Sequence, residues 1–380
     1  MNLEELRKEI DNADKAIIKA FSERMETSAK IAKYKAENSL PVFDPKRERE
    51  KLNAVADASP DDIKDYTRLL YSMMFELGRT YQNKIIGTDT ALCKKIENAI
   101  EKTPRLFPET AVVACQGIEG ANSQIACDKL FNNANIMFFK SFEAVFTAVE
   151  KGLCKYGVIP VENSTAGSVN SVYDLMMSHN FYITKSIRLK IDHNLLVKPG
   201  TKLSDIKEIY SHEQAISQCS EYLHKLPGVK VIACENTAVA AKSVADSNRR
   251  DIAAIASMEC TGYYGLECAA KYIQNSDNNY TRFVCISKEL EIYPGADRTS
   301  LMMTLPHEQG SLYKVLSRFY SLGINLNKLE SRPIPGHDFQ FMFYFDLDTP
   351  VYSPRFLQLM GELPQNCESF NYLGSYNEVI

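Results

Sequence analysis

Residues 156–169 read YGVIPVENSTAGSV: an apolar run, a polar cluster, then small residues leading into a helical pattern. A short apolar run closed by polar residues and glycine reads as a buried strand. The unit recurs along the chain. AVVACQG (111–117), NIMFF (135–139), IKEIYSH (206–212), VKVIACE (229–235), DIAAIAS (251–257) and TRFVCIS (281–287) are runs of the same kind. Helical patterns such as SFEAVFTAVEKG (141–152) and EQAISQCSEYLHKL (213–226) separate them. That alternation predicts an α/β domain with largely parallel sheets, built as one sheet or as two lobes around a cleft. Polar clusters stand where strands give way to helices: Glu162-Asn163-Ser164-Thr165, Ser211-His212-Glu213-Gln214 and Asn236-Thr237. Ligands of open α/β sheets bind at those strand ends, and helix N-termini favour anions. Each cluster taken alone also serves as an ordinary helix cap.

Upstream, the texture is different. The first glycine is Gly78 and the first proline Pro41, so residues 1 to about 87 read as entirely helical. Leu3, Leu6, Ile10, Ala13, Ile17, Ala20, Thr27 and Ile31 recur at the three/four spacing of a long amphipathic helix ending near Glu37. Asp44-Pro45 and Ser59-Pro60-Asp61-Asp62 open two shorter helices. Three such helices cannot bury their apolar faces alone, so the region predicts a homodimer, with a higher oligomer left open. Arg24 falls on the apolar stripe and Lys35 lies at nearly the same azimuth eleven residues on. A buried cation costs several kcal/mol unless an anion meets it. The bland alternative is a charged hairpin whose long side chains reach solvent. Arg7 lies about 100° around the helix from Arg24 and would serve a different site in the dimer. Residues 86–108 carry mixed charge and read as a spacer.

Downstream of Tyr293-Pro294-Gly295 the order is strand, helix, strand, strand, helix, strand: 299–306, 310–322, 324–333, 338–348, 353–362 and 368–374. This βαββαβ order is that of the ferredoxin-like α+β unit.

Composition excludes several classes. The net charge of −4 gives no general electrostatic reason to expect a nucleic-acid partner. No apolar run approaches membrane-spanning length, and the charged, amphipathic N-terminus MNLEELRKEI is expected to be neither a signal peptide nor an anchor. Ten cysteines without a C-x-x-C pair fit buried free thiols and a cytoplasmic location. The histidines form no metal-ligand cluster, so neither metal nor cofactor is expected.

The motifs in combination carry a resemblance. L-R-x-x-I-D-x-x-D at 6–14, Glu23-Arg24, K-x-K at 33–35 and D-x-x-R-E at 44–48 resemble the all-helical chorismate mutases. YGVIPVENSTAGSV, YSHEQAISQC (210–219) and TRFVCIS, in that order, resemble the prephenate dehydratases. Gly310-Ser311-Leu312 and Glu330-Ser331-Arg332-Pro333 are similar to the phenylalanine-sensing ACT regulatory domains. The whole chain therefore resembles the bifunctional chorismate mutase–prephenate dehydratases. The resemblance implies three parts: a three-helix all-α mutase domain (1–88), a two-lobed, periplasmic-binding-protein-like α/β dehydratase domain (109–288) and a ferredoxin-like ACT domain (298–376).

The resemblance also implies roles. Arg7 (from the partner chain), Arg24 and Arg47 grip the carboxylates of chorismate, with Asp44 ordering the pocket. Lys35 and Gln82 hydrogen-bond the ether oxygen, and Glu48 binds the ring hydroxyl. Thr281 is the catalytic residue for prephenate, with Glu162, Asn163, Ser164, Thr165, Ser211, Gln218, Arg282 and Phe283 shaping that site. Gly310, Leu312, Glu330, Ser331, Arg332 and Pro333 bind phenylalanine. Two departures stand out: Gly78 where some relatives carry a carboxylate-binding serine, and Ala121-Asn122-Ser123 where relatives often place an aromatic before the serine. The competing class is a non-catalytic metabolite-binding regulator. Against it stand Arg24, Lys35, Glu48 and Gln82 together with Thr281, since a plain dimerisation arm has no need of cations on its apolar stripe.

Overall fold

A computed structural model describes residues 2–87, 90–336 and 340–380. The chain divides into two compact units. The first comprises Met1–Glu97, Met303–Lys328 and Leu347–Phe370; the second comprises Asn98–Met302, Leu329–Asp346 and Asn371–Ile380.

The N-terminal helices form as their end signals dictate. α1 (Leu3–Glu37) opens on a capping box in which Asn2 and Glu5 each accept the other's backbone N–H at 2.9 Å. α2 (Pro45–Asp57) is capped by Asp44, with proline in its first turn. α3 (Lys64–Ile86) follows a 3-10 turn and stops at Gly87, whose φ of +94° suits only glycine. Ser28 and Ala32 of α1 are buried, whereas Leu3, Ile10 and Ile17 remain 62%, 63% and 61% exposed. α4 (Ala91–Lys102) corrects the reading of 86–108 as a spacer, though residues 88 and 89 lie outside the described residues. Cys93, Ile96 and Ala99 sit three residues apart and are buried, an apolar stripe hidden among lysines and glutamates.

Next in chain order come β1 (Thr110–Gln116), α5 (Asn122–Leu130), β2 (Asn133–Phe139), α6 (Phe142–Glu150), β3 (Tyr156–Asn163), β4 (Gly167–Ser168), α7 (Asn170–Met176) and β5 (Tyr182–Lys190). A second group follows: β6 (Asn194–Val197), β7 (Glu208–Ser211), α8 (Glu213–Gln218), α9 (Ser220–Leu223), β8 (Lys230–Ala233), α10 (Thr237–Asp246), β9 (Ile252–Ala256), α11 (Glu259–Tyr264) and β10 (Glu267–Ala270). β11 (Tyr280–Ser287) returns to the first group. The last elements are β12 (Arg298–Thr304), α12 (Ser311–Ser321), β13 (Asn325–Pro333), β14 (Phe341–Asp348), α13 (Pro354–Glu362), β15 (Ser369–Tyr376) and β16 (Glu378–Val379). The strand expected over 338–348 begins at Phe341, and its residues 338 and 339 lie outside the described residues.

The α/β region holds two sheets, ordered β16-β5-β11-β3-β1-β2 (with β4 on β3) and β10-β6-β9-β7-β8. They are mixed, which corrects the expectation of largely parallel sheets. β1 pairs parallel with β2 and β3, and β7 with β8 and β9. β11 runs antiparallel to both β3 and β5, and β6 antiparallel to β9 and β10. The cause is the path of the chain. It crosses between sheets twice, from β5 to β6 and from β10 to β11, each time without a helix, so the returning strand runs against its neighbours. Strand alternation packs both faces of the larger sheet: Ala114, Ile159, Val161 and Val284 on one side, Val113, Cys115, Val158 and Phe283 on the other. The C-terminal elements form a four-stranded sheet ordered β13-β14-β12-β15. The short β16 pairs parallel with β5 as the edge of the larger sheet.

Candidate functional site

In the α/β region a cleft of about 300 Å³ is lined from both sheets. β3 contributes Asn163, β11 contributes Thr281 and Phe283, and the other sheet's α8 contributes Gln214 and Gln218. Asn163 and Thr281 meet because β3 and β11 pair them directly. Asn163 Nδ2 donates to Thr281 Oγ1 at 3.0 Å and to Asn279 Oδ1 at 2.9 Å. Asn279 Nδ2 donates to Gln218 Oε1 (3.0 Å), Gln218 Nε2 to Thr165 Oγ1 (2.6 Å), and Thr165 Oγ1 to Asn163 Oδ1 (2.7 Å). A ring of hydrogen bonds thus fixes the threonine hydroxyl and ties the two lobes together.

The period of two along a strand decides which of the expected residues reach the cleft. Thr281 and Phe283 face it; Arg282, between them, faces away. Arg282 pairs with Asp346 at 2.5 Å and lies 3.9 Å from Glu162, its register partner. Burial is the largest single influence and works against its charge, but Asp346, Tyr376 and Tyr344 together raise its pKa. Glu162 and Arg282 are therefore not brought to the cleft. Ser211 is fully buried and donates to the Ile255 carbonyl, and Ser164 ties Tyr280 and Asn278 together.

Two residues here had no expected role, His193 in the lining and Asn279 in the ring. His193 Nε2–H donates to Gln218 Oε1 at 2.8 Å, and burial pushes its pKa down. Asn279 closes the ring beside it. A sequence signal exists for both: His193 lies in the polar Asp192-His193-Asn194 between apolar runs, and Asn279 ends the polar stretch 275–279 just before the Tyr280-Thr281 strand. Ala121, Asn122 and Ser123 at the start of α5, and Asn236 and Thr237 at the start of α10, turn two helix N-termini to the cleft.

In the first unit, Arg24 is half-buried, donates to the Met74 carbonyl at 3.0 Å and lies over the Phe75 ring. Burial lowers its pKa. Gly78 leaves its guanidinium room: an added Cβ would stand 3.4 Å from Nη1. Lys35 Nζ donates to the Val42 carbonyl at 2.6 Å, and Asp44 caps α2 through the Arg47 N–H at 3.0 Å. Gln82 Oε1 is buried with no hydrogen-bond partner among the described residues. Glu48 is ion-paired with Arg79, a residue the sequence reading passed over. Arg7 and Arg47 are exposed.

Of the expected regulatory residues, Gly310 caps α12 with φ +83° and Leu312 lies in its first turn. Glu330, Ser331, Arg332 and Pro333 end β13. Glu330 accepts from Ser168, and Arg332 makes a two-pronged pair with Asp174 of α7 at 2.8 and 2.9 Å. Among the described residues no cluster of three or more His, Cys, Asp or Glu is disposed to hold a metal, and no helix is long and apolar enough to cross a membrane.

A family model for Prephenate dehydratase matches residues 113–291, and one for Chorismate mutase type II matches residues 6–83. The bifunctional chorismate mutase/prephenate dehydratase of Aquifex aeolicus is 31% identical, over 100% of this chain and 98% of its own. The arogenate dehydratase/prephenate dehydratase 1 of Arabidopsis thaliana is 37% identical, over 70% of this chain and 71% of its own. The solved prephenate dehydratase of Arthrobacter aurescens, in complex with L-Phe, matches with a TM-score of 0.65 at 26% identity, over 70% of this chain and 90% of that one. Both models within one chain define an enzyme of two activities, an isomerase and a lyase. The chain belongs to the bifunctional chorismate mutase/prephenate dehydratases of phenylalanine biosynthesis, which convert chorismate to prephenate and prephenate to phenylpyruvate.

Proposed function

We propose that the two reactions occupy two separate sites, with boundaries near 1–88 and 109–288, and that residues 298–376 form a ferredoxin-like, phenylalanine-sensing ACT domain. The hydrogen-bond ring around Thr281 carries the dehydratase assignment. Prephenate loses carbon dioxide and hydroxide together, driven by aromatisation. Hydroxide leaves poorly, so a held hydrogen-bond donor at the departing oxygen is the main requirement. Thr281 supplies that donor, with Asn163 accounting for its orientation. The N-termini of α5 and α10 receive the substrate's carboxylates. A periplasmic-binding-protein-like closure of the two lobes fits the contact between Thr165 and Gln218.

The mutase reaction needs no nucleophile and no cofactor. It needs a compact chorismate conformer and positive charge where the ether oxygen gains electron density. Arg24 and Arg47 bind carboxylates, Lys35 and the unsatisfied Gln82 meet the ether oxygen, and Glu48 takes the ring hydroxyl. The exposed apolar face of α1 supports a homodimer through the helical region, with Arg7 serving the partner's site. The contacts of Glu330 with Ser168 and of Arg332 with Asp174 support feedback on the dehydratase, because they grip the loop and helix that follow Asn163.

A time course with chorismate alone tests the reading. Prephenate is expected first and phenylpyruvate after it, with L-phenylalanine slowing the second step. Prephenate accumulating without phenylpyruvate would remove Thr281 from its role; no turnover at all would remove both sites.

A further inference from the structure

Arg79 lies on α3 three residues from both Glu76 and Gln82 and pairs with two carboxylates at once, Glu48 of α2 and Glu76 of its own helix. Its guanidinium also stands 5.0 Å from the centre of the Phe43 ring, in the segment that leads into α2. Only 11% of the side chain is exposed. Glu76 is held from a second side. Arg318 of α12 reaches its backbone carbonyl at 3.5 Å and its carboxylate at 3.9 Å, and Arg318 Nε pairs with Glu362 of α13 at 2.9 Å. Gln358 of α13 donates to the Thr80 carbonyl at 3.0 Å and to Glu362 at 2.9 Å. Arg318 and Glu362 are almost fully buried, 5% and 1% exposed. Burial lowers the pKa of Arg318, Glu362 and Glu76 oppose that, and the charge of Arg79 adds to it.

A buried chain of alternating charge therefore runs Glu48–Arg79–Glu76–Arg318–Glu362. Removing Arg79 takes the ion-pair partner from Glu48 and leaves Glu76 to Arg318 alone, which is costly in a site shielded from water. We propose that Arg79 is the positioning residue for Glu48 in the mutase pocket, anchored through Glu76 by Arg318 of α12. This rests on the assignment of Glu48 to the chorismate site. The consequence is that the mutase pocket draws part of its geometry from a helix outside the mutase segment, the one whose first turn carries Leu312. Arg79 touches no substrate atom in this account; it fixes the carboxylate that holds the ring hydroxyl.

The test is steady-state mutase kinetics on the full-length protein carrying Arg79→Met, Arg79→Lys, Arg318→Met, Glu48→Gln and the double variant Arg79→Met/Glu48→Gln. Melting temperature and dehydratase turnover of supplied prephenate report folding. Loss of a hydrogen bond to a charged group predicts a fall in kcat/KM of about tenfold or more in Arg79→Met, carried mainly by KM. Arg79→Lys is expected to recover part of it, and Arg318→Met to show a smaller loss of the same kind. Arg79→Met is expected to add nothing once Glu48→Gln is present. Additive losses, or an Arg79→Met protein with native mutase kinetics, would overturn the proposal. If Arg79→Met does not fold, native mutase kinetics in both Arg79→Lys and Arg318→Met would overturn it equally. A Glu48→Gln protein with native mutase kinetics would instead overturn the assignment of Glu48 itself.

Discussion

At the scale of single residues, the cleft between the two sheets shows how one position in a strand separates a residue proposed for the dehydratase site from a structural one. Thr281 and Arg282 are neighbours in the same motif, yet Thr281 meets Asn163 in the cleft while Arg282 meets Asp346 behind it. Sequence gave the motif but not the face, because the face is set by pairing with β3 and by the bulge between Arg282 and Phe283. His193 has a measurable consequence. Its pKa is lowered below the ordinary 6.5, first by burial, so as pH falls the unfolded chain takes up the proton before the folded one does. Its contribution to stability is complete above about pH 6.5 and is lost as pH falls toward the depressed value. Thermal melts across that range are expected to show a steeper loss of melting temperature in the native protein than in His193→Gln. Parallel slopes would contradict the assignment.

At the scale of elements, the helices of the first unit were legible almost to the residue where their ends carry local signals, Asp44 with Pro45 and Gly87; the capping box of Asn2 and Glu5 went unread. α4 was not, since alternating lysines and glutamates masked its short apolar stripe. β5 and β16 were missed for another reason. Both depend on partners distant in sequence, β5 on β11 and β16 on β5. A glycine records how closely these elements approach: at Gly374 of β15, φ is +136° and an added Cβ would lie 2.3 Å from the Ile183 carbonyl oxygen of β5. No local pattern announces such a contact. α1 makes a prediction of its own. Ile10 and Ile17 stay exposed on a helix far longer than its packing partners require. Ile17→Glu is expected to shift the sedimenting species from dimer to monomer and to abolish the mutase while prephenate dehydration continues. A variant that remains dimeric would show that another surface holds the assembly.

At the scale of the whole molecule, two activities share one chain through what we propose are different kinds of physics. In that proposal the mutase uses fixed charge on a helical scaffold, the dehydratase a hydrogen-bonded cleft between two sheets, and the last sheet and its helices serve regulation. The order of the elements was readable from texture alone: helices with Gly78 as their first glycine, then strand and helix in alternation, then βαββαβ. The mixed strand directions and the ion chain through Arg79 were not, because both arise from chain crossings and tertiary contacts rather than local pattern. The central claim is that the two reactions have independent sites. It is tested most directly by measuring both turnovers, chorismate loss and phenylpyruvate formation from supplied prephenate, in Lys35→Ala and Thr281→Ala. Lys35→Ala is expected to lose the mutase and keep the dehydratase, and Thr281→Ala to do the reverse. Parallel loss of both activities in either folded variant would contradict the account.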